Sequence, residues 1–312
     1  MGENKKAIGI DLGGTNLRFA LFDYSGKILK RKEVRTPRKK EEIVKLIYEI
    51  CNDFKKEFND IVGCGIGLAG IIDKINGVLT ISPNIPELNG FKIREEFKIL
   101  PFPFIFENDA NCAAVGEQWL GSARGKRNVL FITLGTGVGG GLILDGKLWS
   151  GTHGGASEFG HITVEKDGVK CGCGSRGCLE QYASAQAIHR WVKEGLEKGI
   201  KTSLREEKEI TCEKVYLHAK AGDRFAKEVW ERFGRYLGIG ISIVLNLLDL
   251  EQIIIGGKIS RAHEFFWESM VKEINERVFY LMRKDLEITI SSLEDDAGLF
   301  GAAKLTFDNF AF

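Results

Sequence analysis

Residues 7–26, AIGIDLGGTNLRFALFDYSG, decide the fold. An apolar run ends in Asp11 and a pair of glycines, Gly13 and Gly14, and a second alternating run follows at once. Period-two patterning on both sides of a Gly-rich turn predicts two hairpin strands, with KILKRKEVRT as a third. Residues 128–149, NVLFITLGTGVGGGLILDGKLW, repeat the design of strand, glycine turn and strand. Each hairpin is followed later by a buried strand that itself ends in glycines, DIVGCGIGLAG at 60–70 and EQIIIGGKI at 251–259. Between the first pair, KKEEIVKLIYEICNDFKKEF puts Ile43, Leu46, Ile47, Ile50, Phe54 and Phe58 on one helical face. Further helices are expected from near Ala110, in LEQYASAQAIHRWVKEGLEKG, from about Cys212 to Leu248, in AHEFFWESMVKEINERVF and in AGLFGAAKLTFDNF. The pattern predicts an α/β fold made by duplication, with two lobes and a central cleft. The lobes are expected at 1–115 and 116–298, with a C-terminal helix of about 299–312 able to pack back on the first.

The 312 residues, 44% of them hydrophobic, suffice for two lobes. Lys plus Arg is 44 and Asp plus Glu is 43, for a net charge of +1. That balance argues against a polyanion-binding surface, and so against nucleic acid as a partner. The start, MGENKK, carries no hydrophobic leader, and the longest nearly apolar stretch, YLGIGISIVLNLL at 236–248, is too short to span a bilayer. A soluble, cytoplasmic protein with no membrane partner is expected.

Three of the seven cysteines, Cys171, Cys173 and Cys178, fall within eight residues, with His161 a short loop upstream. A cytoplasmic location argues against disulfides and so favours a metal. Three thiols and one imidazole suit tetrahedral zinc, and Gly172, Gly174 and Gly177 let the backbone curl around it. Four protein ligands leave no open position, so the zinc is expected to be structural, a clamp on the loop. Cys51, Cys64, Cys112 and Cys212 read as small buried hydrophobes.

DLGGT, Asp11 to Thr15, reads as a turn whose amides approach phosphate oxygens, with Asp11 placed to organise magnesium. LGTGVGGG, Leu134 to Gly141, formally contains the dinucleotide fingerprint at Gly135, Gly137 and Gly140. That fingerprint requires a following helix, whereas GLILDG reads as a strand, so a second phosphate-holding hairpin is the better reading. In ENDANCAA, Asn108 and Asp109 stand between a strand and a helix, where either would serve as an N-cap. With two phosphate turns in the same chain, Asp109 is also a candidate base that accepts a hydroxyl proton in phosphoryl transfer. Glu158 and Glu180 flank the cysteine loop and read as acceptors for sugar hydroxyls; a glycosidase pair would leave both phosphate turns unexplained.

The two Gly-rich hairpins, ENDAN and EFGHITVEKDGVKCGCGSRGCLEQYAS together resemble the ROK family of repressors, open reading frames and kinases, most closely its bacterial ATP-dependent glucokinases. The resemblance runs from IGIDLGGTN to AGLFGAA. It implies an actin-like, RNase H-like duplicated fold with ATP and Mg2+ in the cleft, and structural Zn2+ at His161, Cys171, Cys173 and Cys178. It implies Asp109 as the base, and sugar contacts from Asn84, Asn108, Asp109, Glu158, His161 and Glu180. Gly13, Gly14 and Thr15, with Thr136 and Gly137, would hold phosphates. Gly256 and Gly257 would lie near the nucleotide base or ribose, and a homodimer is suggested. His161 would bind zinc through one ring nitrogen and a sugar hydroxyl through the other. The repressors of the family carry a helix-turn-helix module first; the first strand here starts near Ala7, so none is expected. Similar glucokinases read Asn-Leu-Pro-Gly-Trp where this chain reads Asn84-Ile85-Pro86-Glu87-Leu88. Glucose is the first expected substrate, ahead of N-acetylmannosamine, N-acetylglucosamine, fructose or allose. The competing readings are a non-catalytic sugar sensor and a zinc hydrolase, the latter needing an open metal position.

Overall fold

Lys6–Leu12 (β1), Asn16–Asp23 (β2) and Ile28–Arg35 (β3) form the first antiparallel run, and Lys40–Glu57 (α1) leads to Ile61–Leu68 (β4). The computed structural model describes residues 4–311. Ile71–Asp73 (β5), Val78–Ile81 (β6), Phe91–Lys92 (β7) and Ile93–Glu96 (α2) precede Phe104–Asn108 (β8) and Asp109–Leu120 (α3). The second run is Val129–Leu134 (β9), Val138–Leu144 (β10) and Lys147–Leu148 (β11). Ala185–Glu197 (α4), Cys212–Lys220 (α5), Arg224–Leu248 (α6), Gln252–Gly256 (β12) and His263–Arg277 (α7) follow. Tyr280–Arg283 (α8), Glu287–Ile290 (β13) and Ala297–Phe310 (α9) complete the chain.

The duplication read from the sequence is visible in the strand order. One sheet runs β3-β2-β1-β4-β8 and the other β11-β10-β9-β12-β13, the same order of first appearance in each. In both, a hairpin lies on one side and parallel strands on the other: β1 pairs β4 and β4 pairs β8 in parallel, as β12 pairs β13. The chain is thus α/β with mixed sheets.

The chain divides into two compact units. One takes the chain up to Phe131, Gly141–Ser157 and the chain from Ser291 on; the other takes Ile132–Gly140 and Glu158–Ile290. The division falls inside β9 and again inside β10, further along than the boundary near 115 that the sequence suggests. α9 belongs to the first unit, packed on β1, β4 and α3. It comes so close that a Cβ on Gly65 would run into the Ala302 carbonyl, and one on Gly301 into the Cys112 carbonyl. The expected extension of this helix to Phe312 lies outside the described residues.

The core of the first unit joins the sheet to α1. Ile8, Ile10, Phe19 and Leu21 meet Ile43, Ile47, Ile50 and Phe54, all fully or almost fully buried. Glu41 and Glu42 in the first turn of α1, with Lys55 and Lys56 in its last, complement the helix dipole. In the second unit α6 packs on α7 through Trp230, Phe233 and Phe266, whose ring centroids lie 5.2–6.3 Å apart. Cys51, Cys64 and Cys112 are buried and Cys212 is half-buried, as small hydrophobes would be.

One local element goes unread in the sequence and one local expectation changes. The three-stranded sheet β5-β6-β7 has no separate signal in the sequence, because strands of two to four residues hold too little alternation to count. The helix expected from Leu179 begins only at Ala185. A single 3-10 turn covers Leu179–Gln181, and the Ala185 amide is drawn onto the Gly135 carbonyl at 3.0 Å. Among the described residues, no helix is long and apolar enough to cross a membrane.

Candidate active site

The first unit carries Asp11, Gly13, Gly14, Thr15, Asn84, Asn108 and Asp109, most of them at one end of one sheet. Leu12 pairs with Leu68 and Leu68 with Asn108, so β1, β4 and β8 reach their carboxyl ends at the same level. That is where open α/β sheets hold ligands. The turn at 13–15 and the corner at 108–109 extend from those ends. The turn is braced by Thr36, whose hydroxyl donates to the Gly13 carbonyl at 2.6 Å and whose amide donates to the Thr15 carbonyl at 2.9 Å. The Gly13 amide bonds the Asn16 carbonyl at 3.1 Å. Asn84 presses on the turn: a Cβ on Gly14 would stand 2.8 Å from the Asn84 carbonyl oxygen.

Asp11 faces Arg18 across the hairpin, and its Oδ2 accepts from both Nη2 and Nε of Arg18, the latter at 3.1 Å. Burial pushes the Asp11 carboxyl above its ordinary range, Arg18 pulls against that, and Asp295 and Asp296 add to the rise. The carboxylate read as a magnesium organiser is therefore already shared with a guanidinium.

Asn108 is a helix cap. Its side-chain oxygen accepts from the amides of Ala110 (2.9 Å) and Asn111 (3.2 Å), and its Nδ2 donates to the Gly70 carbonyl at 3.1 Å. Asp109 is the half-buried first residue of α3, where the helix dipole favours a carboxylate. Its Oδ1 accepts from the Ala110 amide at 3.0 Å. Behind this corner lies Glu107, only 5% exposed. Its Oε1 accepts from the Asn108 amide and from Asn111 Nδ2, both at 2.9 Å. Its Oε2 is paired with Lys74. The sequence reading passes over Glu107 and Lys74; 33 residues separate them, and no local pattern marks such a pair.

The second unit carries the remaining candidates. The turn between β9 and β10 closes with the Gly135 amide on the Gly137 carbonyl at 3.0 Å, leaving Thr136 at its tip. A strand follows it, which removes the dinucleotide-fingerprint reading. Glu180 meets this turn: its Oε2 accepts from the Val138 amide at 3.0 Å, and a Cβ on Gly137 would collide with the same carboxylate. Gly256 ends β12, and Gly257 holds φ at 80° where a Cβ would strike the Leu134 backbone at the end of β9. Gly257 is thus needed for close approach to the strand that carries the turn.

His161 stands between two neighbours. Its Nδ1 is turned to Cys171 Sγ at 3.7 Å, and its Nε2 lies 4.0 Å from the Glu158 carboxylate. Partial shielding raises the Glu158 carboxyl from its ordinary value; His161 opposes the rise and Glu180 adds to it.

The cysteine loop fits a tetrahedral cation. The ligand atoms of His161, Cys171, Cys173 and Cys178 all lie within 4.8 Å of one another. Cys173 and Cys178 sulfurs are 3.7 Å apart. Zinc–sulfur bonds of about 2.3 Å at tetrahedral angles span about 3.8 Å between sulfurs. Burial and the neighbouring thiols push Cys178 up to about 12, whereas the Ser175 amide heads the influences that lower exposed Cys173. Thiols this close oppose each other's ionisation, and a divalent cation removes the conflict. Gly174 at φ 93° and Gly177 at φ 67° supply the curl, and Gln181 Nε2 approaches Cys171 Sγ at 3.8 Å. Four protein donors fill a tetrahedron, so the set suits a structural ion.

The ROK family model matches residues 7–309. The glucokinase of Thermotoga maritima is 34% identical over 307 residues, covering 96% of each chain. The glucokinase of Streptomyces coelicolor is 35% identical over 310 residues, again 96% of each. The xylose repressor of Caldicellulosiruptor bescii is 30% identical over 314 residues, 97% of this chain and 78% of the repressor. Among solved structures, a ROK family glucokinase from Streptomyces griseus in complex with glucose and AMPPNP superposes with a TM-score of 0.80 at 34% identity, over 96% of this chain and 98% of that one. The ROK hexokinase of Thermus thermophilus gives 0.85 at 31% identity, over 96% and 97%. A ROK family transcriptional regulator gives 0.88 at 29% identity, over 98% of this chain and 78% of its own. The doubled sheet order, the two glycine turns and the loop of one histidine and three cysteines agree with that match: the chain belongs to the ROK family.

Proposed function

We propose that the protein is an ATP-dependent sugar kinase that transfers a γ-phosphoryl group to a hexose, glucose first, at the 6-hydroxyl. The observation that carries this is the common level of Leu12, Leu68 and Asn108, which puts a glycine turn and the Asp109 carboxylate at one end of one sheet. Glucokinase relatives and a neighbour holding glucose and AMPPNP support the same reading.

In this account Asp109, fixed at the start of α3, orients the sugar hydroxyl and accepts its proton as the oxygen attacks the γ-phosphorus. The terminal P–O bond breaks and ADP leaves with the electron pair. Amides of the turn at 13–15, with Thr15, hold phosphate oxygens, as do Thr136 and Gly137 of the second turn. Mg2+ bound with the nucleotide would supply positive charge to the phosphates, with Asp11 the carboxylate read as its organiser. Gly256 and Gly257 border the base or ribose. Asn84, Asn108, Glu158, His161 and Glu180 bind sugar hydroxyls. His161, Cys171, Cys173 and Cys178 would hold Zn2+, which would supply rigidity to the loop, and Nε2 of His161 would then serve the sugar. Glu87 and Leu88 stand where similar glucokinases read Gly-Trp, and the alternative substrate is another hexose or an N-acetylhexosamine. A homodimer is part of this reading, and sedimentation would give its mass.

Asp109→Asn is expected to lower turnover by about 10²–10⁴-fold. Calorimetry should show glucose binding kept within a few fold. Near-normal turnover would remove Asp109 from the role of base.

The repressor relatives favour a second reading, a sugar sensor without catalysis. It predicts sugar binding by calorimetry with no ADP release.

A further inference from the structure

Neither the base nor the caps account for the pairing of Glu107 with Lys74. A carboxylate 5% exposed, two residues before another carboxylate that must stay charged, is electrostatically costly. Lys74 offsets it from the segment between β5 and β6, and its ammonium also donates to Ser150 Oγ at 2.7 Å. The cation is thus held from two sides. The other oxygen of Glu107 grips the Asn108 amide and the Asn111 side chain. A continuous link runs from Lys74 through Glu107 to the residues on either side of Asp109.

The charged groups at this end of the sheet come from every neighbouring element. β1 brings Asp11, β2 brings Arg18, β8 brings Glu107, α3 brings Asp109 and the Cys112 thiol, and the turn before α9 brings Asp295 and Asp296. Burial pushes that thiol well above its ordinary value; Glu107, Asp109 and Asp11 add to the rise, and Lys74 opposes it. Arg18 is bound to Asp11. Lys74 is the cation that serves the Glu107 side.

We propose that Lys74 is a positioning residue for phosphoryl transfer. Through Glu107 it fixes the corner at 108–111 and balances the charge beside Asp109. The proposal rests on the kinase reading above. It assigns catalytic consequence to a side chain outside the glycine turns, the ENDAN motif and the cysteine loop.

The test uses the full chain as Lys74→Met, Lys74→Arg and the double variant Lys74→Met/Glu107→Gln. Lys74→Met is expected to lower kcat by about 10- to 100-fold while the sugar KM stays within about threefold. It should also move the acidic limb of the kcat–pH profile upward, since an uncompensated carboxylate makes Asp109 harder to ionise. Lys74→Arg should stay near wild type. The double variant should return the limb toward its original pH, because charge and countercharge leave together. A purely structural role would lower the yield of folded protein without moving the limb. An unmoved limb in Lys74→Met, or a double variant no better than the single, would overturn the proposal. Amide hydrogen exchange reads the link without turnover: the amides of 108–111 should exchange about tenfold faster in Lys74→Met, with those of β1 unchanged. Equal exchange at 108–111 would also overturn it. A wild-type chain that turns over no sugar would defeat the kinase reading, and the exchange result would still judge the link.

Discussion

Single side chains here do more than one task, and their local task is often the one the sequence reveals. Asn108 reads as a cap or a sugar contact, and its oxygen is spent on capping; Nδ2 remains the atom with hydrogen-bonding capacity to spare. Asp11 reads as a magnesium organiser, and Arg18 shares it. Lys74 and Glu107 are not legible in the sequence, since their meeting depends on where β5 and β8 lie, not on any spacing. Asp223 shows the same economy at a helix start. Burial pushes its carboxyl up, but hydrogen bonds from the Ala226 amide, the Ser203 hydroxyl, the Thr202 hydroxyl and the Ser203 amide outweigh that and hold it at about 2. Its unfolded value is about 3.9, so its contribution is complete above that pH and lost as pH falls through about 2. Asp223→Ala should cost about 1 kcal/mol at neutral pH, a cap-sized loss from a partly exposed site. Urea midpoints measured from pH 7 to pH 2 should show the gap between wild type and variant closing toward the acid end. A gap that holds constant to pH 2 would count against this assignment.

At the scale of elements, what is local in sequence is readable and what is long-range is not. The loop of His161 and the three clustered cysteines announces itself because its four donors lie within 18 residues, 161–178. The expected outcome is about one zinc per chain by elemental analysis, retained in wild type and lost in Cys178→Ser. With it the loop should lose protection from proteolysis, and sugar affinity should fall because His161 loses its anchor. Full sugar affinity in metal-free protein would separate the loop from the pocket. The second glycine turn makes a sharper test of Glu180. Gly137→Ala puts a methyl group against that carboxylate, and sugar KM should rise with the fold intact. Glu117 has no signal in the sequence at all. Wholly buried in α3, it accepts from Ser122 N at 2.6 Å, Ser291 Oγ at 2.5 Å and Leu293 N at 3.0 Å. It ties α3 to the turn that starts α9, 174 residues away. Glu117→Ala strands these donors and should cost about 2–4 kcal/mol in a denaturation midpoint. A loss below about 1 kcal/mol would mean that water replaces the carboxylate.

The whole molecule repeats one plan, and that plan is legible because its marks are period-two strands and glycine ends that recur. Both sheets keep the order hairpin, first strand, parallel strands. The position of the division is not legible. It depends on α9 returning to β1, β4 and α3 through glycine-spaced contacts, and on Gly141–Ser157 joining the first unit. Chemistry at this scale is the proposal of phosphoryl transfer itself. The most direct measurement is a coupled ADP-release assay on the wild-type chain, with ATP, Mg2+ and a panel of hexoses and N-acetylhexosamines, run beside Asp109→Asn. The account predicts steady turnover on glucose that Asp109→Asn lowers by about 10²–10⁴-fold; turnover on another hexose or N-acetylhexosamine alone would keep the mechanism and move the substrate. Sugar binding with no ADP release on any member of the panel would contradict the kinase and leave the sensor.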